Sequence, residues 1–387
     1  MTFLSAAVFG RIAGLEARGE FAMILATASF VGFVINLGIP NALQVLSSRS
    51  LTTNHSFEDL RRAFILTMLS ALLIAPLGYY CLPNSVSKLS SLTVILSVAM
   101  AGSALLPSHL AARERYIHSA FASALPSLTV GLGTLLLAYA QKMTVTHLIQ
   151  LNVAGHLLVN SWTLIEIFMS GQQTEKRVNF IKHAKEILSI GIRSHFSTGV
   201  AILYQRVDIW WIGFALGPKE LGLYSTAILL FRTFMMPVLA QQQILSVKFS
   251  KSRQKIERKL PKILLINICY SIAVSIGILF LGERLIELFF GSEFAPAHRS
   301  LSLFIPGLIG FAVSIPAAAI FKSLGYPIQN IAVEIITLIL ILISLPIGMS
   351  FYGLSGATLS VSVSYLIGAV LYIWYLKSAL NPKFENA

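Results

Sequence analysis

The chain has 387 residues, 56% of them hydrophobic and only 12% charged, and its mean hydropathy is +0.77. Because soluble domains carry about 25% charged residues, this composition excludes an ordinary soluble protein. Lysine and arginine outnumber aspartate and glutamate by 29 to 16, an excess that indicates nucleic-acid binding in a soluble protein but marks cytoplasmic loops in a membrane protein.

Apolar segments long enough to cross a bilayer recur along the whole chain. Such a segment needs ~20 residues as a helix, and these segments are too long for the strands of a membrane barrel. Turn sequences such as Pro83-Asn84 and Gly217-Pro218 separate them. The sequence therefore predicts an all-α polytopic membrane protein with about twelve transmembrane helices. In chain order, the predicted spans are residues 1–14, 20–47, 63–83, 91–112, 119–140, 146–170, 189–216, 222–247, 263–282, 301–321, 328–350 and 353–376.

The basic residues divide unequally between the two sets of loops that connect these spans. Nineteen of the 29 lie in the set that includes the Lys248–Lys262 loop and the C-terminal residues, seven lie in the opposite set, and three lie inside spans. Lysine and arginine are retained on the cytoplasmic side of a membrane. We therefore expect the C-terminus and the Lys248–Lys262 loop to be cytoplasmic.

A turn in the first half of the chain matches a turn in the second half. Residues 14–21 (GLEARGEF) align with residues 217–224 (GPKELGLY), and their numbers differ by 203 throughout. Each turn has two glycines five positions apart and ends on an aromatic residue. This repeat, with a basic loop after the sixth span, predicts two six-helix lobes, residues 1–172 and 173–387, as in many secondary transporters.

The first predicted span is shorter than its partner in the repeat. The seventh span begins near Ser189, so the counterpart of that residue would lie before Met1. Residues 1–13 give only ~20 Å of helix, whereas the hydrocarbon core is ~30 Å thick. The sequence thus predicts a truncated first helix, either because upstream codons encode the rest or because the chain is a truncated product.

Three charged residues inside the predicted spans are candidates for substrate binding. Counted at 1.5 Å per residue from the Gly217 turn, Arg206, Asp208 and Arg232 lie at one depth, ~13–16 Å from it. Arg206 and Asp208 point to nearly opposite faces of an ideal helix. We therefore expect Asp208 to pair with Arg232 and Arg206 to be available to a phosphate. The alternative is one buried network of all three that joins two helices.

Polar side chains on the spans are the other candidates for the substrate-binding cavity. Amides can exchange hydrogen bonds with sugar hydroxyl groups, and an arginine at the cytoplasmic end of a span can bind a phosphate. The alternative for each amide is a hydrogen bond between helices. The alternative for the arginine is that it only fixes the orientation of the chain in the membrane. These candidates are Asn36, Asn41, Gln44, Arg49 and Gln241. The chain has no phosphate-loop or nucleophile-elbow motif, no metal-ligand spacing of histidines, and two cysteines in apolar segments. The sequence therefore predicts no enzyme, no metal and no cofactor.

Four motifs lie in order along the chain, at residues 11–21, 206–227, 282–294 and 353–360. Together they resemble the polysaccharide-exporter branch of the multidrug/oligosaccharidyl-lipid/polysaccharide (MOP) superfamily, a branch that includes the O-antigen flippases (Wzx-type). The resemblance implies two six-helix lobes around a central cavity. It also implies a flippase that moves an undecaprenyl-pyrophosphate-linked oligosaccharide across the bacterial inner membrane for O-antigen, capsule or exopolysaccharide synthesis. The implied partners are membrane lipids, and a polysaccharide polymerase and a chain-length regulator are further candidates. No nucleic acid is implied.

Two other functions stay open on the sequence. A multidrug-extrusion-type cation antiporter would place carboxylates in its cavity, whereas this chain places more cations than acids inside the spans. A membrane enzyme of the same polysaccharide pathway would need a sizeable outer loop to hold its site. The longest such loop, residues 283–300, is short, and we expect it to be an amphipathic surface helix.

Overall fold

The computed structural model describes residues 3–49, 56–80, 89–140, 143–169, 180–249, 253–323 and 327–380. Over these ranges the regular structure is helical, which confirms the all-α prediction. Helices suit a membrane protein because each satisfies its own backbone hydrogen bonds where no water is present.

The described part of the chain contains fifteen α-helices, and the described residues of each predicted span lie mainly on one or two of them. In the first half they are α1 (Phe3–Asn36), α2 (Ile39–Arg49), α3 (Ser56–Tyr80), α4 (Ser90–Ser103), α5 (Leu105–Ala112), α6 (Tyr116–Tyr139) and α7 (Val145–Met169). In the second half they are α8 (Phe180–Tyr204), α9 (Val207–Ala215), α10 (Gly217–Phe234), α11 (Met236–Phe249), α12 (Arg253–Phe290), α13 (Ala297–Leu303), α14 (Ile305–Ser323) and α15 (Pro327–Leu380).

Many of these helices are able to cross a membrane. By length and composition, six helical stretches of the described residues qualify. Two bent pairs, α10 with α11 and α13 with α14, raise the number to eight if each pair is one span.

Glycines with a positive φ separate neighbouring spans. Gly14 (φ 81°) interrupts α1, and Gly353 (φ 55°) interrupts α15, so each of these helices contains two predicted spans. Gly217 (φ 85°) begins α10 in the same way. Glycine adopts this backbone region at little cost because it has no Cβ atom.

Five predicted spans are each divided into two helices, which corrects the expectation of continuous helices there. A proline follows four of the divisions. Because proline lacks an N–H group and clashes with the preceding turn, it fits best in the first turn of a helix, although Pro126 and Pro316 lie inside undivided α-helices of this chain. The prolines that follow the divisions, each the second or third residue of its helix, are Pro40, Pro107, Pro237 and Pro306. The fifth division, between α8 and α9, has no proline.

The loop at residues 283–300 is not a separate surface helix. Instead, α12 continues to Phe290, and Gly291 (φ 101°) then turns the chain. A short 3-10 turn (Ser292–Phe294) follows, and α13 starts at Ala297. The expectation was wrong because the charged residues 283–287 extend α12 rather than leave it.

Contacts divide the chain into two compact units. Unit 1 comprises Met1–Ala13 and Glu20–Gly199, and unit 2 comprises Gly14–Gly19 and Val200–Ala387. The chain passes from one unit to the other inside α8, whereas the division predicted at residues 172–173 lies outside the described residues.

The two matching turns of the sequence repeat contact each other within unit 2. A Cβ atom on Gly19 would lie 1.8 Å from the carbonyl oxygen of Pro218, and one on Gly222 would lie 2.2 Å from that of Leu15. Leu15 and Pro218 are equivalent positions of the repeat, as are Gly19 and Gly222. The two contacts are therefore the same contact made twice, and only glycine fits at either place.

Candidate functional site

The break between α8 and α9 is held by side chains. Ile209 N–H donates to Arg206 O at 3.1 Å rather than to Gln205 O, as a continuous helix would require. The Arg232 guanidinium donates from Nη2 to this freed Gln205 carbonyl at 3.0 Å. Arg232 lies near the end of α10 and therefore stabilises a discontinuous helix in the neighbouring span.

Asp208 lies in the first turn of α9 and is fully buried, with 0% of its surface exposed. Its Oδ1 accepts a hydrogen bond from Ile209 N–H at 2.8 Å, and its Oδ2 accepts one from the Tyr224 hydroxyl group. Arg206 and Arg232 both act electrostatically on the Asp208 carboxyl group. The structure thus brings the three predicted charges of unit 2 together.

The predicted ion pair between Asp208 and Arg232 is wrong. The ion pairs among the described residues do not include it, and each group has another partner. Tyr224 lies on the same helix as Arg232, two turns closer to the Gly217 turn, and its hydroxyl group donates a hydrogen bond to the Asp208 carboxylate. Arg232 bonds to the Gln205 carbonyl instead, because the helix break exposes that acceptor.

Arg206 is the residue immediately before α9. It is half-buried, and within the described chain no side chain or carbonyl accepts a hydrogen bond from its guanidinium group. The first N–H groups of a helix and the aligned peptide dipoles favour an anion at this position. One carboxylate and two guanidinium groups leave the cluster with an excess of positive charge, and both arginines are more exposed than Asp208.

Aromatic rings surround the buried side of this cluster. Tyr224 packs against Phe304, with ring centroids 5.6 Å apart, and Phe304 packs against Phe231 at 5.2 Å. Tyr365 packs on Phe311 at 5.7 Å. Rings that exclude water lower the local dielectric constant, so the charges act more strongly on one another and on a bound ion.

The equivalent positions of the first repeat carry no charge. With the offset of 203, Asp208 corresponds to Ser5 and Tyr224 to Phe21. Arg206 corresponds in the same way to Phe3, and Arg232 to Ser29. The alignment is supported next to the turn by the matching pair Gly10 and Gly213. A helical hairpin of this kind therefore forms without the charges, which weakens the alternative that they serve only to join two helices.

The remaining predicted residues lie elsewhere. Asn36 ends α1 and has a buried Oδ1 without a hydrogen-bond partner in the described chain, while Asn41 and Gln44 are exposed on α2. Arg49 ends α2, and its side chain lies outside what the structure describes. These four belong to unit 1. Gln241 belongs to unit 2 and lines a cavity of about 140 Å³ with residues of α11 and α12, apart from the charged cluster.

Sequence reasoning missed two polar features of unit 2, a tyrosine and a small cavity. Tyr224 was assigned only to the turn motif, although its equivalent Phe21 lacks a hydroxyl group, and that difference could have indicated a polar role. The second is a small cavity of about 20 Å³, which Tyr204, Tyr365 and Glu334 line with five other residues. Glu334 Oε1 accepts a hydrogen bond from Asn330 Nδ2 at 3.0 Å. No sequence motif marks this cavity.

Comparison with known proteins shows that the chain is similar to proteins of polysaccharide biosynthesis. A family model described as "Polysaccharide biosynthesis protein" matches residues 8–299. The chain is 25% identical over 241 residues to the "Probable low-salt glycan biosynthesis flippase Agl15" of Haloferax volcanii, a match of 60% of this chain and 49% of that protein. It is 28% identical over 204 residues to the "Capsular polysaccharide biosynthesis protein CapF" of Staphylococcus aureus, with 51% and 52% covered. The chain spans about half the length of these curated relatives.

Solved structures show the same fold. The inward-facing conformation of a multidrug resistance MATE family transporter of the MOP superfamily aligns with a TM-score of 0.79 and 13% identity, covering 99% of this chain and 95% of that chain. The lipid II flippase MurJ, in an inward closed conformation, aligns with a TM-score of 0.80 and 17% identity, covering 96% and 84%. This shared fold confirms the predicted fold class, and the family match over residues 8–299 confirms the resemblance to polysaccharide biosynthesis proteins.

Proposed function

The chain belongs to the polysaccharide biosynthesis protein family, and from this premise we propose that it is a flippase for a lipid-linked oligosaccharide. The proposed substrate is an undecaprenyl-pyrophosphate-linked repeat unit for O-antigen, capsule or exopolysaccharide synthesis. The protein would move it across a bacterial inner membrane by alternating access, with its own C-terminus in the cytoplasm. Two similar proteins support the proposal. One sequence relative is named a probable glycan biosynthesis flippase, and one structural neighbour is a lipid II flippase.

The observation that carries the proposal is the uncommitted guanidinium group of Arg206 at the amino end of α9. A phosphate fits this position for three reasons. Arginine binds phosphate oxygens through paired N–H groups. The helix end adds N–H donors and the positive end of its dipole. Arg232 adds a second positive charge nearby.

The cluster also favours an anionic substrate over a cationic one. A cation antiporter needs a carboxylate that its substrate can reach, but Asp208 is fully buried and bonded through both oxygens. The groups that are partly exposed here are the arginines. A cation approaching them would be repelled, whereas a phosphate would be attracted. Transport of a phosphate-linked lipid is therefore the better match than drug extrusion.

A charge at the centre of a membrane costs at least ~3 kcal/mol, and the phosphate is the most charged part of such a substrate. A guanidinium group at this depth lowers that cost in the transition state. If its contribution is about 1.4–2.8 kcal/mol, removing it slows transport by about ten- to a hundredfold.

The test is transport in proteoliposomes that contain an undecaprenyl-pyrophosphate-linked oligosaccharide, with protein incorporation checked by blot. We expect Arg206→Gln, which keeps hydrogen bonding but removes the charge, to lower the rate by about ten- to a hundredfold. The control is Arg284→Gln, which changes an exposed arginine of the same unit and should leave the rate unchanged. If Arg206→Gln and Arg232→Gln both incorporate normally and transport at the unaltered rate, the phosphate is bound elsewhere.

A further inference from the structure

The geometry points to Tyr224 as a positioning residue: its hydroxyl group holds the Asp208 carboxylate away from Arg206 and Arg232, so the guanidinium groups stay available to an anionic substrate. This inference rests on the proposed function, because it assigns a task to a residue behind the proposed phosphate site. Tyr224 itself does not need to touch the substrate, since it is fully buried.

The first support is the distribution of hydrogen bonds around Asp208. A carboxylate close to two guanidinium groups is expected to pair with one of them, and Arg–carboxylate pairs are among the strongest contacts available. Here both oxygens are occupied by other donors, Ile209 N–H and the Tyr224 hydroxyl group. The carboxylate therefore interacts electrostatically with both arginines but forms no ion pair with either.

The second support is the rigidity of the tyrosine. Its ring is fully buried and packs against Phe304, and α10 carries both Tyr224 and Arg232. A ring fixed in this way fixes its hydroxyl group, and through it the carboxylate. Because Arg232 is held separately by the Gln205 carbonyl, the two opposite charges have different anchors.

The third support is the first repeat. Phe21 occupies the position of Tyr224, with a ring of the same shape and no hydroxyl group. That repeat has Ser5 in place of the carboxylate and Ser29 in place of Arg232. The hydroxyl group therefore occurs in the repeat that has the charges and is missing from the repeat that lacks them. Packing needs the ring at both positions, so the hydroxyl group serves the charges.

The test uses two substitutions, singly and together, in the proteoliposome assay. Tyr224→Phe removes one oxygen atom, and we expect the released carboxylate to pair with an arginine and transport to fall at least tenfold. Asp208→Asn added to Tyr224→Phe should restore the rate to within about threefold of Asp208→Asn alone, because an amide carries no charge to pair with a guanidinium group. Tyr270→Phe is the matched control: it removes a hydroxyl group that donates to Phe234 O at 2.6 Å elsewhere in unit 2, and should transport normally.

If the hydroxyl group only stabilises the fold, the transport rate of the double variant should be lower than that of either single variant. That order overturns the inference, as does normal transport by Tyr224→Phe or failure of Tyr224→Phe to incorporate. Arg206→Gln, measured in parallel, separates this inference from the proposed function. If Arg206→Gln loses transport and the double variant is not rescued, only the role of Tyr224 is refuted. If Arg206→Gln and Arg232→Gln both transport normally, the phosphate site itself is refuted.

Discussion

The contact between the two repeat turns yields a stability prediction that can be worked out from distances. Replacing Gly19 by alanine places a Cβ atom 1.8 Å from Pro218 O, and replacing Gly222 places one 2.2 Å from Leu15 O. Ordinary contacts of this kind start at 3.4 Å, so the backbones must separate by about 1.6 Å (3.4 − 1.8) and 1.2 Å (3.4 − 2.2). Both obstacles are backbone atoms, so no flexible side chain can turn aside.

Overpacking a filled interior costs typically about 1–3 kcal/mol, and the rigid backbone places these two variants near the upper figure. Alanine gains up to about 1 kcal/mol over glycine within a helix. We therefore expect Gly19→Ala and Gly222→Ala each to destabilise the protein by about 2 kcal/mol. Since one separation of the two turns relieves both contacts, the double variant should cost less than the sum of the single variants.

The measurement is thermal unfolding of the detergent-solubilised protein, followed as loss of the monodisperse peak in fluorescence-detected size exclusion. Gly277→Ala is the control: this helical glycine of α12 has open space where the Cβ atom would lie, so the variant should be neutral or slightly more stable. Unfolding temperatures of Gly19→Ala and Gly222→Ala equal to or above that of Gly277→Ala would show that the turns do not pack in this way.

Three further predictions follow from the site and the charge distribution. Arg232→Met should destabilise the protein by about 1–3 kcal/mol more than Arg206→Met in the same unfolding assay, because it deprives the Gln205 carbonyl of its donor. Asp208→Asn should incorporate at nearly the normal level, since no direct ion pair is lost; a large drop on blots would mean that the carboxylate is paired after all. A phosphatase reporter fused after Ala387 should be inactive and a cytoplasmic reporter there active, and the reverse would contradict the proposed orientation.

The sequence determined the helices well because the bilayer leaves few alternatives. Long apolar segments must be helical there, and glycines such as Gly14 and Gly217 mark the turns between them. Four of the helix divisions were predicted as continuous spans although a proline such as Pro237 follows each of them, because a proline such as Pro126 also lies inside an undivided helix and so does not identify a division by itself. The division at Gln205 was not readable, because no proline or glycine causes it. It depends on a hydrogen bond from Arg232, which is distant in sequence and adjacent only in the fold.

The same distinction applies to the site. Counting residues from the Gly217 turn placed Arg206, Asp208 and Arg232 at one depth, and the structure brings them within electrostatic range of one another. Depth along a helix does not determine which donor reaches a carboxylate, however. That depends on rotation about the helix axis and on side-chain length, and there the tyrosine, assigned only as a turn aromatic, was the closer donor. Pairings of this kind require coordinates.

The asymmetry between the repeats bears on why the charges are present. Burying a carboxylate is costly, and a polar network in a membrane interior is weak support for stability. The first repeat, with Ser5, Phe21 and Ser29 at the equivalent positions, forms its helices without that cost. The charged network is therefore not required for a hairpin of this kind to form. Its presence in one repeat matches a requirement that only one half of the chain meets, and transport of a substrate that carries its charge at one end, such as the proposed pyrophosphate-linked oligosaccharide, would impose such a requirement.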